Sequence, residues 1–259
     1  MLRILISFLI FLFIHNFAIS QYHIIENGRI VFERKINTYA ILPNIIGRSD
    51  IVSNDALTSY YQKYKNDNPQ FWVDSFQLYF NKDSTFYEPA GKVSPFLHGT
   101  GVPMAEKNQV FTYLASFKFI SEKNAVNERR VISDTLTKIY WKLTDETRDI
   151  AGYECRRANG LINDSIYIVA FYTDAIKTKG GPELFNGLPG MILGLAIPHF
   201  HISYFAIRIE SILPEGKMPI PIFVNQVNKI RQLDYFNEMI YYLKEKKLDR
   251  EWIKMFIRL

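Results

Sequence analysis

Apolar and polar positions alternate along most of the chain with a period of two residues, which is typical of β-strands. Within residues 28–37, for example, Ile30, Phe32 and Ile36 fall on one face and mostly polar side chains fall on the other. A half-buried strand needs one apolar and one polar face, so this pattern predicts that the globular part of the chain begins with a strand.

The same alternation predicts a series of further strands. Phe76, Leu78 and Phe80 precede the turn-forming residues 81–84 and a short run at 85–87, which together predict a β-hairpin. Further strands are predicted at residues 110–119, 139–143, 153–157, 166–172, 191–197 and 202–209, with a polar turn at 145–149, a break at Pro198 and a loop from Pro89 to Pro103. The run 166–172 is apolar on both faces, which indicates a strand in the middle of the sheet.

Helical spacing is found in two places. Residues 53–65 carry Leu57, Tyr60 and Tyr64 on one face, which predicts a short helix, and the chain beyond about residue 230 predicts one or two amphipathic helices. The predicted fold is therefore mainly β (α+β). We expect an antiparallel sheet, or a partly open barrel or sandwich, with the short N-terminal helix and the C-terminal helices packed on it.

The first twenty residues have the organisation of a signal peptide. Arg3 provides a positive head, residues 4–14 are apolar apart from Ser7, and Ala18 and Ser20 are small residues at the positions that a signal peptidase reads. The apolar run is too short to cross a bilayer. We therefore predict cleavage before Gln21, export to the periplasm or the extracellular space, and a single β-rich domain over residues 21–259 that does not span the membrane.

Charge and cysteine content narrow the possible partners. The formal net charge is +5, and the densest basic run, residues 244–250, also contains Glu245 and Asp249, so we expect no nucleic-acid partner. A single cysteine excludes an intramolecular disulfide and a thiolate zinc site, since both need at least two sulfur atoms.

The segment 180–195 is rich in glycine and proline, with five of the 13 glycines of the chain. Glycine permits a positive φ and a close approach between chain segments, and proline fixes φ, so two successive tight turns are predicted. A structural role, in which the turns set the register of a buried strand, is assigned to Gly181, Pro182, Gly187, Leu188, Pro189, Gly190, Met191 and Ile192. No phosphate-binding glycine motif is present in this segment.

The hexapeptide at 187–192 belongs to an ordered set of residues that is similar to a known family. The other members of the set are Ile30–Asn37, Trp141, Glu146, Ile150–Cys155, Ala158, Phe171–Asp174, Ile176 and Gly181–Glu183. The set resembles the GLPGLI family of small exported bacterial proteins, with Met191 in place of the usual leucine. The resemblance implies a family of unknown function and supplies no catalytic residues.

His199 and His201 are the candidate metal ligands. They lie two residues apart at the start of a predicted strand, where both rings would point to one face. A metal site would also need His98, His23 or a carboxylate such as Asp174 or Glu183 to converge on them. Two surface histidines are the alternative interpretation, and we predict no cofactor.

Cys155 and the acidic residues have equally open roles. Cys155 would be a nucleophile if one of the two histidines lay beside it, and otherwise a small buried hydrophobic residue. Asp174 and Glu183 flank the glycine-rich segment, where carboxylates usually accept hydrogen bonds from nearby backbone N–H groups.

The function favoured by the sequence is that of an exported, non-catalytic binding or assembly module of the cell envelope, although an enzyme is not excluded. One alternative is a periplasmic carrier that holds an apolar ligand in a β-barrel-like cavity. The second is a metal- or thiol-dependent hydrolase. The expected partner is an envelope protein or an apolar small molecule.

Overall fold

The computed structural model describes residues 24–46, 54–91, 108–125, 128–162, 166–213 and 216–245. Within these ranges the chain forms eleven strands, numbered in chain order. They are β1 (Gly28–Asn37), β2 (Phe71–Phe80), β3 (Ser84–Pro89), β4 (Gln109–Tyr113), β5 (Lys118–Ala125), β6 (Glu128–Thr135), β7 (Tyr140–Ile150), β8 (Tyr153–Ile162), β9 (Ile166–Thr173), β10 (Met191–Ile197) and β11 (Ile202–Glu210).

All eleven strands belong to one antiparallel, open sheet with the order β6-β5-β4-β3-β2-β1-β11-β10-β9-β8-β7. Strands that are consecutive in sequence are neighbours in the sheet, except for β6 and β7, which form its two edges. The first strand, β1, lies beside both β2 and β11 and so joins the two halves. The prediction of a mainly β, antiparallel architecture is confirmed. The strand at 166–172 lies inside the sheet, between β8 and β10, as its apolar faces indicated.

Three α-helices accompany the sheet in the described ranges: α1 (Thr38–Ile46), α2 (Asn54–Asp67) and α3 (Gln232–Glu245). The helix predicted at 53–65 corresponds to α2, and the C-terminal helical region begins with α3. Helix α1 was missed because it directly continues β1, and its N-terminus is capped where the Ala40 amide donates to Asn37 Oδ1 over 3.2 Å.

Two strand predictions are wrong. Residues 110–119 form two strands rather than one, since the chain turns after Tyr113 and Phe117 takes a left-handed φ of 54°. The polar residues 145–149 belong to β7, and the turn lies at Ala151 and Gly152, both of which have positive φ. A break in the register between Leu143 and Thr147 disturbs the alternation that sequence reasoning relies on.

The larger core lies on the face of the sheet that carries Ile30, Phe32 and Ile36, called the inner face below. A second, smaller apolar cluster lies on the opposite face of β2–β6. There the segment containing Leu213 and Phe223 covers the strands. The chain thus packs apolar side chains on both sides of the N-terminal half of the sheet.

Residues 1–23 and 246–259 lie outside the described residues, as does much of the loop predicted from Pro89 to Pro103. The predicted signal peptide and a second C-terminal helix therefore stay predictions. None of the helices in the described ranges combines the length and the apolar character that a membrane crossing requires.

Candidate functional site

The glycine-rich segment forms the connection between β9 and β10 and lies close to the edge of the inner face. Its first turn is closed by the Phe185 amide, which donates to the Pro182 carbonyl over 3.2 Å. Beyond the second bend, Met191 pairs with Thr173, and the Ile192 amide donates to the Gly180 carbonyl over 2.9 Å. We call residues 180–190 the crossover loop.

Two glycines of the crossover loop are required for different reasons. Gly187 has a φ of +91°, which side chains rarely tolerate. Gly190 does not have a positive φ. Instead, a Cβ atom at Gly190 would lie 2.0 Å from the carbonyl oxygen of Thr173, so this position requires glycine because two backbones approach closely.

Trp141 on β7 ties the crossover loop to the far end of the sheet. Its indole Nε1 donates to the carbonyl oxygen of Asn186 over 2.9 Å. The ring lies directly over Gly160 on β8, where a Cβ atom would be 2.8 Å from the indole carbons. The loop is thus held by β7 as well as by the strands that it connects.

A group of ionisable and polar side chains is buried beneath the crossover loop, and we call it the buried charged cluster. Its members are each at least nine-tenths buried and are Arg34, Asp74, Tyr87, Asn108, Lys123, Glu183 and Tyr204. The sheet contributes all of them except Glu183, which the crossover loop supplies, and Asn108, which directly precedes β4.

Register explains why these side chains meet. Arg34 on β1 lies opposite Asp74 on β2 and opposite Tyr204 on β11, so all three share the inner face. The Arg34 Nη2 atom is 2.8 Å from Asp74 Oδ2, and the guanidinium lies 4.6 Å from the centre of the Phe76 ring. A buried charge of this kind needs a partner to offset its lost hydration.

Glu183 enters the cluster from above with an unusual backbone conformation, a φ of 53°. Its Oε2 atom accepts a hydrogen bond from Asn108 Nδ2 over 3.2 Å. Within the described residues, its Oε1 atom and the hydroxyl of Tyr87 are buried without a hydrogen-bond partner.

Burial shifts the acid–base behaviour of the cluster. It raises the pKa of Glu183 to about 7, although the positive charges of Arg34 and Lys123 act in the opposite direction. Burial lowers the pKa of Lys123 to about 8, against the attraction of Glu183. The pKa of Tyr87 is raised by burial and by the nearby Glu183 carboxylate. Glu183 and Lys123 therefore titrate near neutral pH.

Sequence analysis missed this cluster, although one signal was present. Arg34 has the same parity as Ile30, Phe32 and Ile36, so the alternation of β1 already places a charged residue on the apolar face. Nothing in the sequence showed that Asp74 and Glu183 would meet it, because they lie 40 and 149 positions away along the chain.

An open cleft with a volume of about 390 Å³ lies beside the crossover loop. Its walls come from the connection between β6 and β7, the facing ends of β8 and β9, the crossover loop and the first turns of α3. The lining is mostly apolar and consists of Asp134, Thr135, Leu136, Thr137, Ile139, Ile162, Ile166, Leu184, Phe185, Gln232, Leu233 and Phe236. Asp134 Oδ2 accepts a hydrogen bond from the Gln232 amide over 3.0 Å and so fixes the start of α3 against β6.

His199 and His201 lie in a short 3-10 turn between β10 and β11, not on a strand as predicted. Both are exposed, and the buried Phe200 lies between them. Across the described ranges, no three His, Cys, Asp or Glu side chains are grouped closely enough to hold a metal ion. His23 and His98 lie outside those ranges, so the metal site stays an untested prediction.

Cys155 is fully buried in β8, and its thiol donates to the Tyr153 carbonyl over 3.4 Å. Burial, together with the negative charges of Asp149 and Glu154, raises the pKa of this thiol to about 12. A nucleophilic cysteine needs the opposite shift, since the thiolate is the reactive form. Asp174, which precedes the crossover loop, is exposed, whereas Glu183 within the loop is buried.

Comparison with solved structures shows the same fold in a larger protein. The chain resembles PNGF-II in its C2 crystal form with a TM-score of 0.51 and 17% identity, covering 83% of this chain and 32% of that one. The P21 form of PNGF-II gives a TM-score of 0.52 and 17% identity, covering 83% and 33%. The chain therefore spans about a third of the length of PNGF-II. No curated protein sequence matches it.

The model of the family described as "N-glycanase peptide, N-terminal domain" matches residues 100–235. This match overturns the resemblance to the GLPGLI family, because the matched region contains the hexapeptide at 187–192 and is recognised as an N-glycanase N-terminal domain. The ordered set of residues behind that resemblance lies in β1, in β7–β10 and in the turns between them, so it reports requirements of the fold and does not define a separate family. Since the match covers more than half of the 259 residues, the chain belongs to the N-glycanase N-terminal domain family.

Proposed function

We propose that this protein is an exported, non-catalytic binding module that holds an apolar segment of a glycoprotein's polypeptide in the cleft beside the crossover loop. The proposal combines family membership with one structural observation, the mostly apolar cleft of about 390 Å³. Apolar concavities with a few polar groups are the usual form of binding sites in proteins.

The position of the cleft supports this role. All of its lining residues except Phe236 lie within the region that matches the family model, residues 100–235. Its apolar groups, such as Ile139, Leu184 and Leu233, suit aliphatic or aromatic side chains better than the hydroxyl groups of a sugar. We therefore assign the cleft to the polypeptide portion of the glycoprotein.

The chemistry of the titratable groups supports a role without catalysis. Glu183 and Lys123 are enclosed by protein, Cys155 holds its proton at neutral pH, and the two exposed histidines are separated by a buried ring. A general base or nucleophile has to reach the reacting atoms of its substrate. Export is supported by the signal-peptide pattern of residues 1–20, and residues 21–259 are proposed to form one β-rich domain.

The carrier of a small apolar ligand remains the second candidate function. The observation that favours it is the same apolar lining, which would also accept a free hydrocarbon group. The cleft is open to solvent rather than enclosed, and an open site suits a chain segment that enters and leaves better than a ligand that must be shielded from water.

Binding would be tested with a short fluorescent peptide rich in leucine and phenylalanine that carries one asparagine-linked glycan, measured by fluorescence anisotropy. The informative variant is Leu233→Ser, because Leu233 lines the cleft and is 58% exposed, so the change removes an apolar contact without opening the core. Ile212→Ser is the matched control, since Ile212 is 75% exposed and lies outside the cleft lining.

We expect the wild type and Ile212→Ser to bind alike and Leu233→Ser to bind about ten-fold more weakly, as the loss of one buried apolar contact implies. The peptide without its glycan should retain most of the affinity. Equal binding by Leu233→Ser and the wild type would refute the cleft as the site. Preference for a fatty acid over the peptide would favour the carrier.

A further inference from the structure

Two walls of the cleft are in contact with the buried charged cluster. One wall is the crossover loop, where Glu183 points into the cluster while the next two residues, Leu184 and Phe185, line the cleft. Adjacent residues of one turn cannot move independently. A displacement of Glu183 towards or away from the sheet therefore also displaces Leu184 and Phe185 in the cleft wall.

The other wall is helix α3. Its residue Tyr235 lies on the inner side, where the Lys123 ammonium is 5.7 Å from the centre of the tyrosine ring. Leu233 and Phe236 on the same helix line the cleft. A cation over an aromatic face is attracted by the electron density of the ring, so the charge on Lys123 contributes to holding α3 against the sheet.

The groups that face Glu183 come from several strands. Arg34 on β1 and Lys123 on β5 are positive and attract its carboxylate. Tyr87 on β3 and Tyr204 on β11 are neutral at physiological pH, and Asp74 on β2 is engaged with Arg34. With Glu183 ionised, the two positive and two negative side chains of the cluster balance, but the cost of burying the carboxylate outweighs the attraction of Arg34 and Lys123 and favours its protonated form.

We infer that a proton on Glu183 keeps the crossover loop docked, and that loss of this proton releases the loop and opens the wall of the cleft. The inference rests on the proposed function only for its consequence, which is that the cleft binds its peptide more tightly in mildly acidic than in mildly alkaline solution. The coupling between the cluster and the cleft wall stands independently of any ligand.

The direction of the pH dependence follows from the difference in the pKa of Glu183 between the docked and the released loop. The docked state raises the pKa of Glu183 from 4.5 to about 7 through burial, so it holds the proton more tightly than a released, hydrated loop does. Docking is therefore fully favoured below the pKa of the released state and is weakened as the pH rises through about 7. Strained backbone at Glu183, with its φ of 53°, adds to the tendency of the loop to leave.

The test is amide hydrogen exchange of the crossover loop, measured without ligand at about pH 6 and about pH 8 and corrected for the chemical exchange rate. For the wild type we expect protection of the amides of Leu184 and Phe185 to fall about ten-fold at the higher pH. Glu183→Gln, which cannot ionise, should show the same protection at both pH values. Glu154→Gln is the matched control, since it removes an exposed carboxylate of β8 and should behave like the wild type.

A fall in protection that persists in Glu183→Gln would overturn the inference. If Glu183→Gln fails to fold, Lys123→Met provides the second variant. Removing the positive charge that opposes the shift should raise the pKa of Glu183 further, so the loss of protection should move to higher pH. An unchanged midpoint in Lys123→Met would also overturn it.

Peptide binding separates this inference from the proposed function. Protection that depends on pH, with no peptide bound at either pH, would refute the proposed function and leave the loop switch intact. Peptide binding that is equal at both pH values, with constant protection, would refute the switch and leave the proposed function intact.

Discussion

One row of side chains crosses the inner face of the sheet and changes character halfway along. In pairing order the row consists of Asp74, Arg34, Tyr204, Leu195, Ala170 and Ala158. All six are buried, so burial does not distinguish the two ends. The first three are charged or polar and the last three are apolar and mostly small.

The two ends of the row are stabilised by different interactions, charge pairing at the polar end and close packing at the apolar end. At the polar end, Arg34 and Asp74 offset each other's loss of hydration, so removing one partner leaves a buried charge. At the apolar end, small residues let chains approach closely, and a Cβ atom at Gly160, two residues from Ala158 on the same face of β8, would lie 2.8 Å from the Trp141 ring. Substitutions that remove a charged group should therefore destabilise the polar end, and substitutions that enlarge a side chain should destabilise the apolar end.

The largest effect is expected at the polar end. Asp74→Ala should lower the free energy of unfolding by about 4 kcal/mol, because it leaves the Arg34 guanidinium buried without its carboxylate. The double variant Arg34→Met, Asp74→Leu should recover most of that loss, since neither member of the pair is then left buried without the other. Urea denaturation measures both. A single variant within about 1 kcal/mol of the wild type would show that the pair is dispensable.

In the apolar region, substitutions that add side-chain atoms should lower the free energy of unfolding. Gly190→Val, at the junction of the crossover loop with β10, should cost about 3 kcal/mol, since the new side chain would meet the Thr173 carbonyl. Gly91→Val is the matched control, because nothing lies within 4 Å of a Cβ atom there. Thermal melting and soluble yield compare the two variants. A normal melting temperature for Gly190→Val would argue against the structural role of the loop.

The pH dependence of the free energy of unfolding should arise from the buried charged cluster, through Glu183. The folded protein raises the pKa of Glu183 from 4.5 to about 7, so its contribution is complete below about pH 4.5 and is lost as the pH rises through about 7. Between about pH 5 and about pH 8 the wild type should lose about 2 kcal/mol of stability through this group, as measured by urea denaturation at each pH. The curve for Glu183→Gln should lack this component. Matching curves for the two proteins would refute the assignment to Glu183.

The smallest effect is expected where the apolar half meets the crossover loop. Trp141→Phe removes the indole hydrogen bond to the Asn186 carbonyl and should cost about 1 kcal/mol. The matched control is Trp72→Phe, whose indole donates to the Tyr64 hydroxyl, away from the loop. Hydrogen exchange of the amides at 184–187 should speed up in Trp141→Phe and not in Trp72→Phe. Equal exchange rates in the two variants would show that the hydrogen bond of Trp141 does not stabilise the crossover loop.

Much of the fold could be predicted because local chemistry determines it. The strands at 28–37 and 202–210 follow from alternation, and the strand at 191–197 follows from a short apolar run after turn residues. Helix α2 follows from helical spacing behind a polar cap. The prediction failed where the period changed without a strong turn signal. Between Tyr113 and Lys118 a left-handed Phe117 makes the turn, and neither glycine nor proline marks it.

The candidate site could be predicted only in part. The crossover loop was visible, because glycine and proline restrict the backbone in ways that depend on few neighbours. The histidines were misplaced, because the chain inserts a 3-10 turn after Pro198 where alternation indicated a strand. The cleft was not visible at all, since it lies between segments that are far apart along the chain.

By itself, the sequence determined most of the strands, the tight turns of the glycine-rich segment, and that β1 carries a charge among apolar neighbours at Arg34. Only the tertiary structure decided that β1 joins the two halves of the sheet, that Asp74 and Glu183 reach the same buried space, and that the loop bearing Glu183 also forms a wall of the cleft. The physical reason is the distance along the chain over which each effect acts. Backbone preferences and alternation act over a few residues, whereas desolvation, charge pairing and cavity shape depend on groups that only folding brings together.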